Sequence, residues 1–202
     1  MPIVINGDGT ISGITTGGLP DGIVDTDMLA NNAVTSAKSS GLGGLSMVDV
    51  WHQTATTNFN GPTEINSNWS RTTNSQPSGT IGSAMTESSG VFTFPSTGIY
   101  KVHIDTFFYK GSPDSNVGFY MDYTSNNGSS YTVVAYALDG LGDAGGTTAG
   151  YTTSIAETIL DITDTSNQKV KFRYNSSGSG MEAQSLNFGR YVNLVFEKLG
   201  DT

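Results

Sequence analysis

GVFTFPSTGIYKVHIDTFFY, residues 90–109, is the stretch whose reading decides the fold. From Tyr100 onward Tyr100, Val102, Ile104 and Phe108 share one parity, while Lys101, His103 and Asp105 take the other. A period of two belongs to a strand with one face in a core and the other outside it. Just upstream, Val91, Phe92 and Phe94 form a shorter apolar run that stops at Pro95, and Pro95-Ser96-Thr97-Gly98 has the composition of a tight turn. The two runs are therefore expected to form a hairpin.

Working outward, further strand-like runs recur at short intervals. Met47-Val48-Asp49-Val50-Trp51 opens the series, and a long Asn-rich segment with a short strand around Trp69 follows. Beyond the central stretch lie Val117–Tyr123, Tyr131–Leu138, Tyr151–Ile162, Lys169–Tyr174 and Phe188–Phe196. Asn126-Asn127-Gly128, Asp139–Gly150 and Asn175–Gly180 separate them as turn or loop material. Many short strands with Gly-rich turns and no long helical period predict an all-β jelly-roll sandwich. No repeat of solenoid or propeller length interrupts the pattern.

The first 45 residues differ. Ile3-Val4-Ile5 and Thr10-Ile11-Ser12 flank Asn6-Gly7-Asp8-Gly9, which tolerates the positive φ angles of a hairpin turn. After the turn cluster Gly17–Gly22, Val24, Leu29 and Val34 recur every five residues, which fits neither a helix nor a strand face. Ala30, Ala33, Val34 and Ala37 do fall at i, i+3, i+4, i+7, with Thr26 or Asp27 placed to cap the start of a short helix and Lys38 its end. Such a helix is too short and too polar to stand alone. It is expected to pack on copies of itself about a threefold axis, or else on its own jelly roll. Ser39–Leu45 reads as a flexible joint, so the chain divides into an arm, 1–45, and a jelly-roll head, 46–202.

Composition narrows the function. A head of about 150 residues buries near 70% of its unfolded surface, enough for a core without staples. The chain has no cysteine, which removes disulfides and thiolate metal sites. The N-terminus MPIVINGDGT lacks the basic and apolar regions of a secretory signal, and no run is long enough for a membrane helix. Nine Lys and Arg against eighteen Asp and Glu give a net charge of −9, so neither nucleic acid binding nor membrane insertion is expected. Only 13% of residues are charged, which leaves a surface of Ser, Thr, Asn and Gly suited to all-β virion and adhesin domains.

Two resemblances add to this. Phe92-Thr93-Phe94-Pro95 followed by Gly98-Ile99-Tyr100 resembles the F-x-x-P-x-x-G-x-Y signature of complement globular-head and tumour-necrosis-factor-like proteins, over roughly Ser46 to Leu199. This resemblance implies a trimeric jelly-roll head whose last apolar strand, here Tyr191–Phe196, lies near the trimer axis. Val4–Ile11, Gly18-Leu19-Pro20-Asp21-Gly22 and Leu29–Lys38 resemble the leader of fibre and other structural proteins of tailed bacteriophages. That leader implies attachment to the particle, with Ile3, Ile5, Ile11, Leu19, Val24, Leu29, Ala33 and Val34 as the anchoring and trimerising residues. With Met1 as its start, the leader itself is expected to be the anchor.

Candidate chemistry is thin. His52 and His103 fall on different strands, and Asp105 lies two residues from His103 on the same parity. No nucleophile elbow, His-Glu-x-x-His pair or phosphate-cradling loop accompanies them, so both read as surface or interface histidines and no catalytic residue is expected. The Asp139–Gly146 loop offers oxygens but lacks the ligand spacing of a helical calcium loop, and Asp161, Asp164 and Asn167 read as turn formers. No metal or cofactor is expected. Phe107, Tyr109, Tyr131, Tyr136 and Tyr151 fall where rings are exposed or covered by another subunit.

These readings converge on a non-enzymatic homotrimer of the virion that contacts capsid or tail proteins through its arm. The head is expected to project outward and touch a host surface glycan or protein through apical loops marked by Asn126, Asn127, Asp139 and Asp143. The alternative is a capsid decoration, or cement, trimer that stabilises the shell.

Overall fold

The computed structural model describes residues 4–5, 7, 11–12, 45–71, 80–110, 114–141, 150–178, 180–183 and 192–202. The chain forms two compact units, Met1–Leu42 and Gly43–Thr202. In the first, β1 (Val4–Ile5) pairs antiparallel with β2 (Ile11–Ser12), placing Ile5 opposite Ile11. The expected helix after Thr26 lies outside the described residues.

The second unit is an all-β sandwich, and among its described residues there is no helix. Its strands in chain order are β3 (Met47–Gln53), β4 (Thr57–Phe59), β5 (Thr63–Glu64), β6 (Trp69–Arg71), β7 (Thr86–Ser88), β8 (Val91–Thr93) and β9 (Gly98–Lys110). They continue as β10 (Asp114–Thr124), β11 (Thr132–Leu141), β12 (Gly150–Ile162), β13 (Lys169–Ser176), β14 (Met181–Ala183) and β15 (Val192–Gly200).

One sheet runs β12-β9-β15-β3-β6, with the short β14 and β4 continuing alongside the far end of β9. The other runs β11-β10-β13-β8-β7, with β5 added to β13. Among the described residues every strand pairing is antiparallel, and the chain passes back and forth between the two sheets, with β7-β8 and β10-β11 as hairpins within one of them.

β9 is the strand both halves lean on. Its inward parity, Tyr100, Val102, Ile104 and Phe108, is buried as expected, and Thr106 joins it. The upstream run departs from expectation, because β8 does not pair with β9. It pairs with β7 and β13 in the opposite sheet, so Phe94–Thr97 crosses the sandwich instead of closing a hairpin. The reason is packing. Phe94 and Tyr100 both point between the sheets, with ring centroids 4.8 Å apart, and two runs in one sheet could not present these rings to each other across the core. Gly98 ends the crossing at φ +144°, where a Cβ would lie 2.6 Å from the Gly200 carbonyl oxygen.

The core is largely aromatic, with Phe92 touching Trp51 and Phe196 at 5.2 Å and Trp69 at 5.4 Å. One charge sits inside it. Asp49, fully buried, accepts from Trp51 Nε1 at 2.9 Å, Met85 N at 2.8 Å and Arg71 Nε at 2.9 Å. The Arg71 guanidinium lies 4.2 Å over the Trp51 ring, so the carboxylate ties β3, β6 and the approach to β7 into one polar node.

Candidate functional site: the uncovered face of the β9 sheet

The parity that sends Tyr100 and Ile104 inward sends Lys101, His103, Asp105, Phe107 and Tyr109 to the outer face of the same sheet. The register fixes their neighbours. Tyr109 faces Tyr151, Phe107 faces Thr153, Asp105 lies between Ile155 and Asn193, His103 between Glu157 and Val195, and Lys101 between Ile159 and Glu197.

At one end the Tyr151 ring stacks on Phe107 at 5.3 Å and on Tyr109 at 4.9 Å. In the middle lies a polar belt: His103 Nε2 is 3.5 Å from Asp105 Oδ1 and its Nδ1 3.6 Å from Glu157 Oε2. Lys101 Nζ lies 3.1 Å from the same Glu157 oxygen. That hydrogen bond, and then the charge of each partner on the other, hold the Glu157 carboxyl below its ordinary range and raise Lys101 above its own. Asn193 Nδ2 donates to Asp105 Oδ1 at 3.0 Å, while Asn193 Oδ1 is shielded from water and accepts no hydrogen bond among the described residues.

The outstanding feature is apolar. Tyr151, Ile155 and Ile159 on β12 are 63%, 59% and 64% exposed and fall on one parity of one strand. Among the described residues β12 pairs with β9 alone, and its other edge faces β11 without a strand pairing. An open groove of about 620 Å³ lies between this edge and β11, lined by Val133–Tyr136 and Ile155–Glu157. A long strand that is apolar on its outer face and unpaired at its edge is a liability unless something covers it.

Of the residues singled out in the sequence, Phe107, Tyr109 and Tyr151 come together in this one stack. His103 and Asp105 meet, and the polar groups against them are Glu157 and Asn193, with Lys101 on the far side of Glu157. Among the described residues no group of His, Asp and Glu is placed to hold a metal ion. Tyr136 stacks on Tyr120 at 5.8 Å on the other sheet, and Tyr131 lies under Lys171 Nζ at 4.1 Å.

Of the residues expected to mark apical loops, Asn126 and Asn127 lie at one end of the sandwich and Asp139 toward the other. Asn126 is tied into a closed turn, its Oδ1 accepting from Thr124 Oγ1 at 2.9 Å and Ser130 N at 3.0 Å. Asn127 bonds to Asn167 O and receives Lys169 Nζ. This turn lies where Thr124 pairs with Lys169, the end at which β3 begins with Met47 beside Lys198. Asp139 lies toward the opposite end, inside β11 rather than in a loop, opposite Val117 and bonded by Ser154 Oγ. Asp143, and the arm residues Ile3, Leu19, Val24, Leu29, Ala33 and Val34, lie outside the described residues.

Ile155 and Ile159 were missed as site residues. Their signal was present, because 154–162, SIAETILDI, carries apolar residues on both parities, more than a single core can take.

No protein-family profile and no curated protein matches the chain. Solved structures do. The chain is similar to murine APRIL at pH 5.0, with TM-score 0.54 and 12% identity over 76% of this chain and 98% of that one. It is also similar to Eiger TNF from S. frugiperda, with TM-score 0.57 and 11% identity over 79% of this chain and 96% of that one. The head is a jelly roll of the tumour-necrosis-factor type. At such identities the likeness concerns the course of the backbone, and the Phe92–Tyr100 signature is the stretch of sequence that foreshadowed it.

Proposed function

We propose that this chain is a homotrimeric, non-enzymatic structural protein on the outside of a tailed-bacteriophage virion. Its arm, residues 1–45, anchors it to capsid or tail proteins, and its head projects outward to contact the host.

The observation that carries the trimer is the row Tyr151, Ile155 and Ile159 beside the edge of β12 that pairs with no strand among the described residues. Each such side chain contributes about 1.5–3 kcal/mol when fully buried, and three copies closing a ring bury three rows at once. The virion reading is supported by the leader-like segments Val4–Ile11, Gly18–Gly22 and Leu29–Lys38, and by a surface low in charge. Three arms joined to three heads make weak single contacts useful through avidity.

Sedimentation velocity at micromolar concentration tests the assembly. A trimer is expected, and a stable monomer overturns it. Cryo-electron microscopy of particles with and without the chain tests the location. A few copies at the tail or at a vertex are expected; hundreds of threefold densities on the shell would make it a decoration protein, and absence from the particle would end the viral reading.

A further inference from the structure

The outer face of the second sheet has a different chemistry. Across β11, β10, β13 and β5 the register lines up Tyr136, Tyr120, Arg173 and Glu64 in one row, three strand spacings or about 14 Å long. Tyr136 is 63% exposed and stacks on Tyr120 with an interplanar angle of 28°. The Arg173 guanidinium lies 4.3 Å over the Tyr120 ring. Asp122, its side chain only 7% exposed, fixes that guanidinium by two bonds, to Nε at 2.7 Å and Nη2 at 3.4 Å. Lys171 closes the row by pairing with Glu64.

The exposed ring is therefore held in one orientation by a stack whose far side is itself locked, and ordering it on binding costs little. Beside it stand planar carboxylates and a guanidinium, and the two acids and two bases cancel. A ligand matched to this row has an apolar face for the ring, several hydroxyls for the planar groups, and no net charge. The −9 of the whole chain also disfavours an anion. These are the features of a neutral pyranoside.

We infer that the Tyr136–Tyr120–Arg173–Glu64 row is a binding site for neutral oligosaccharides, with Tyr136 as the stacking platform and Arg173 and Glu64 as the hydroxyl partners. This deepens the outward-contact part of the proposed function and moves that contact from the loops to a sheet face. Tyr120, Arg173 and Glu64 lie on the sheet opposite Tyr151, Ile155 and Ile159, while Tyr136 lines the groove that Ile155 also borders, so Tyr136→Ala is read by sedimentation as well as by sugar binding.

Saturation-transfer NMR on the full chain with cellotriose, maltotriose and N,N′,N″-triacetylchitotriose, and with trigalacturonate as the anionic control, tests it. At least one neutral probe is expected to receive saturation. Tyr136→Ala is expected to weaken its Kd about tenfold with sedimentation unchanged. Tyr151→Ala, on the other face, is expected to leave the Kd unchanged. No transfer to any neutral probe, full affinity in Tyr136→Ala, or preference for trigalacturonate overturns the site. A monomer that still binds sugar would sink the trimer alone, and a trimer that binds none would sink this site alone.

Discussion

The two outward faces of this sandwich teach different things although one fold builds both. On the β9 face the charged groups gather in a central belt, and Tyr151, Ile155 and Ile159 beside it are each more than half exposed. On the β13 face Tyr120 and Tyr131 each lie against a cation, and Arg173 and Lys171 each pair with a carboxylate. The first arrangement loses free energy in water and recovers it only when covered. The second is satisfied as it stands. Exposure alone does not separate them, since Tyr151 and Tyr136 are equally exposed at 63%; the company each ring keeps does.

The bluntest way to break the contrast is to remove what both faces rest on. Asp49→Ala strips the buried node of its only carboxylate, leaving Trp51 Nε1 and Met85 N unsatisfied and Arg71 without its partner. A loss of about 3–5 kcal/mol is expected, read as a lower urea midpoint with the slope unchanged.

The next test is confined to one face. Ile159→Lys puts a charge into the proposed contact beside Lys101, and sedimentation is expected to shift from trimer to monomer while the urea midpoint of the isolated head stays within about 0.5 kcal/mol. A trimer that survives both Ile159→Lys and Ile155→Lys would mean that this face is not what the copies share.

A matching change on the other face should do the reverse. Arg173→Ala leaves Asp122 buried without its guanidinium and uncovers Tyr120, which should cost about 1–3 kcal/mol of stability and leave the sedimentation coefficient untouched.

The smallest expected effect lies in the turn that carries the chain from one sheet to the other. Asp164 accepts from Asn167 Nδ2 at 2.7 Å and Ser166 N at 2.9 Å, and these bonds, the side-chain one first, hold its carboxyl below the usual range. A lowered folded value means that the turn's contribution is complete above the ordinary aspartate range and is lost as pH falls through the folded value. Amide exchange at Ser166 and Asn167 should therefore quicken at acid pH relative to neighbouring strands, after correction for intrinsic rates, and Asp164→Ala should remove the difference.

Much of this was legible before any coordinates. The alternation Tyr100–Phe108 gave β9 and its two faces, because burial on one side writes itself into every second residue. The Phe92–Tyr100 signature pointed to the fold because its Gly98 sits where a side chain would strike the Gly200 carbonyl. The partner of β8 was not legible, since pairing depends on which sheet the chain crosses into, and a turn sequence such as Pro95–Gly98 closes a hairpin or spans a sandwich equally well. Nor was Asp49, an acid on the inward parity of β3, whose tolerance depends on donors from distant segments. The paired character of Tyr136 was hidden for the same reason, because Arg173 lies far from it along the chain.

The place where the chain enters the head has a mechanical consequence. β3 starts at the end where Met47 lies beside Lys198, and its register runs from Lys198 to Asn193. Tension applied at Leu45 against a head held at its opposite end runs along the axis of β3. The hydrogen bonds of that register then bear the load side by side and must give way together instead of opening one after another, because antiparallel ladder bonds lie perpendicular to the strand. A tether drawn through this joint should yield at high force, while the same load applied across the β12 edge should peel the sheet at low force.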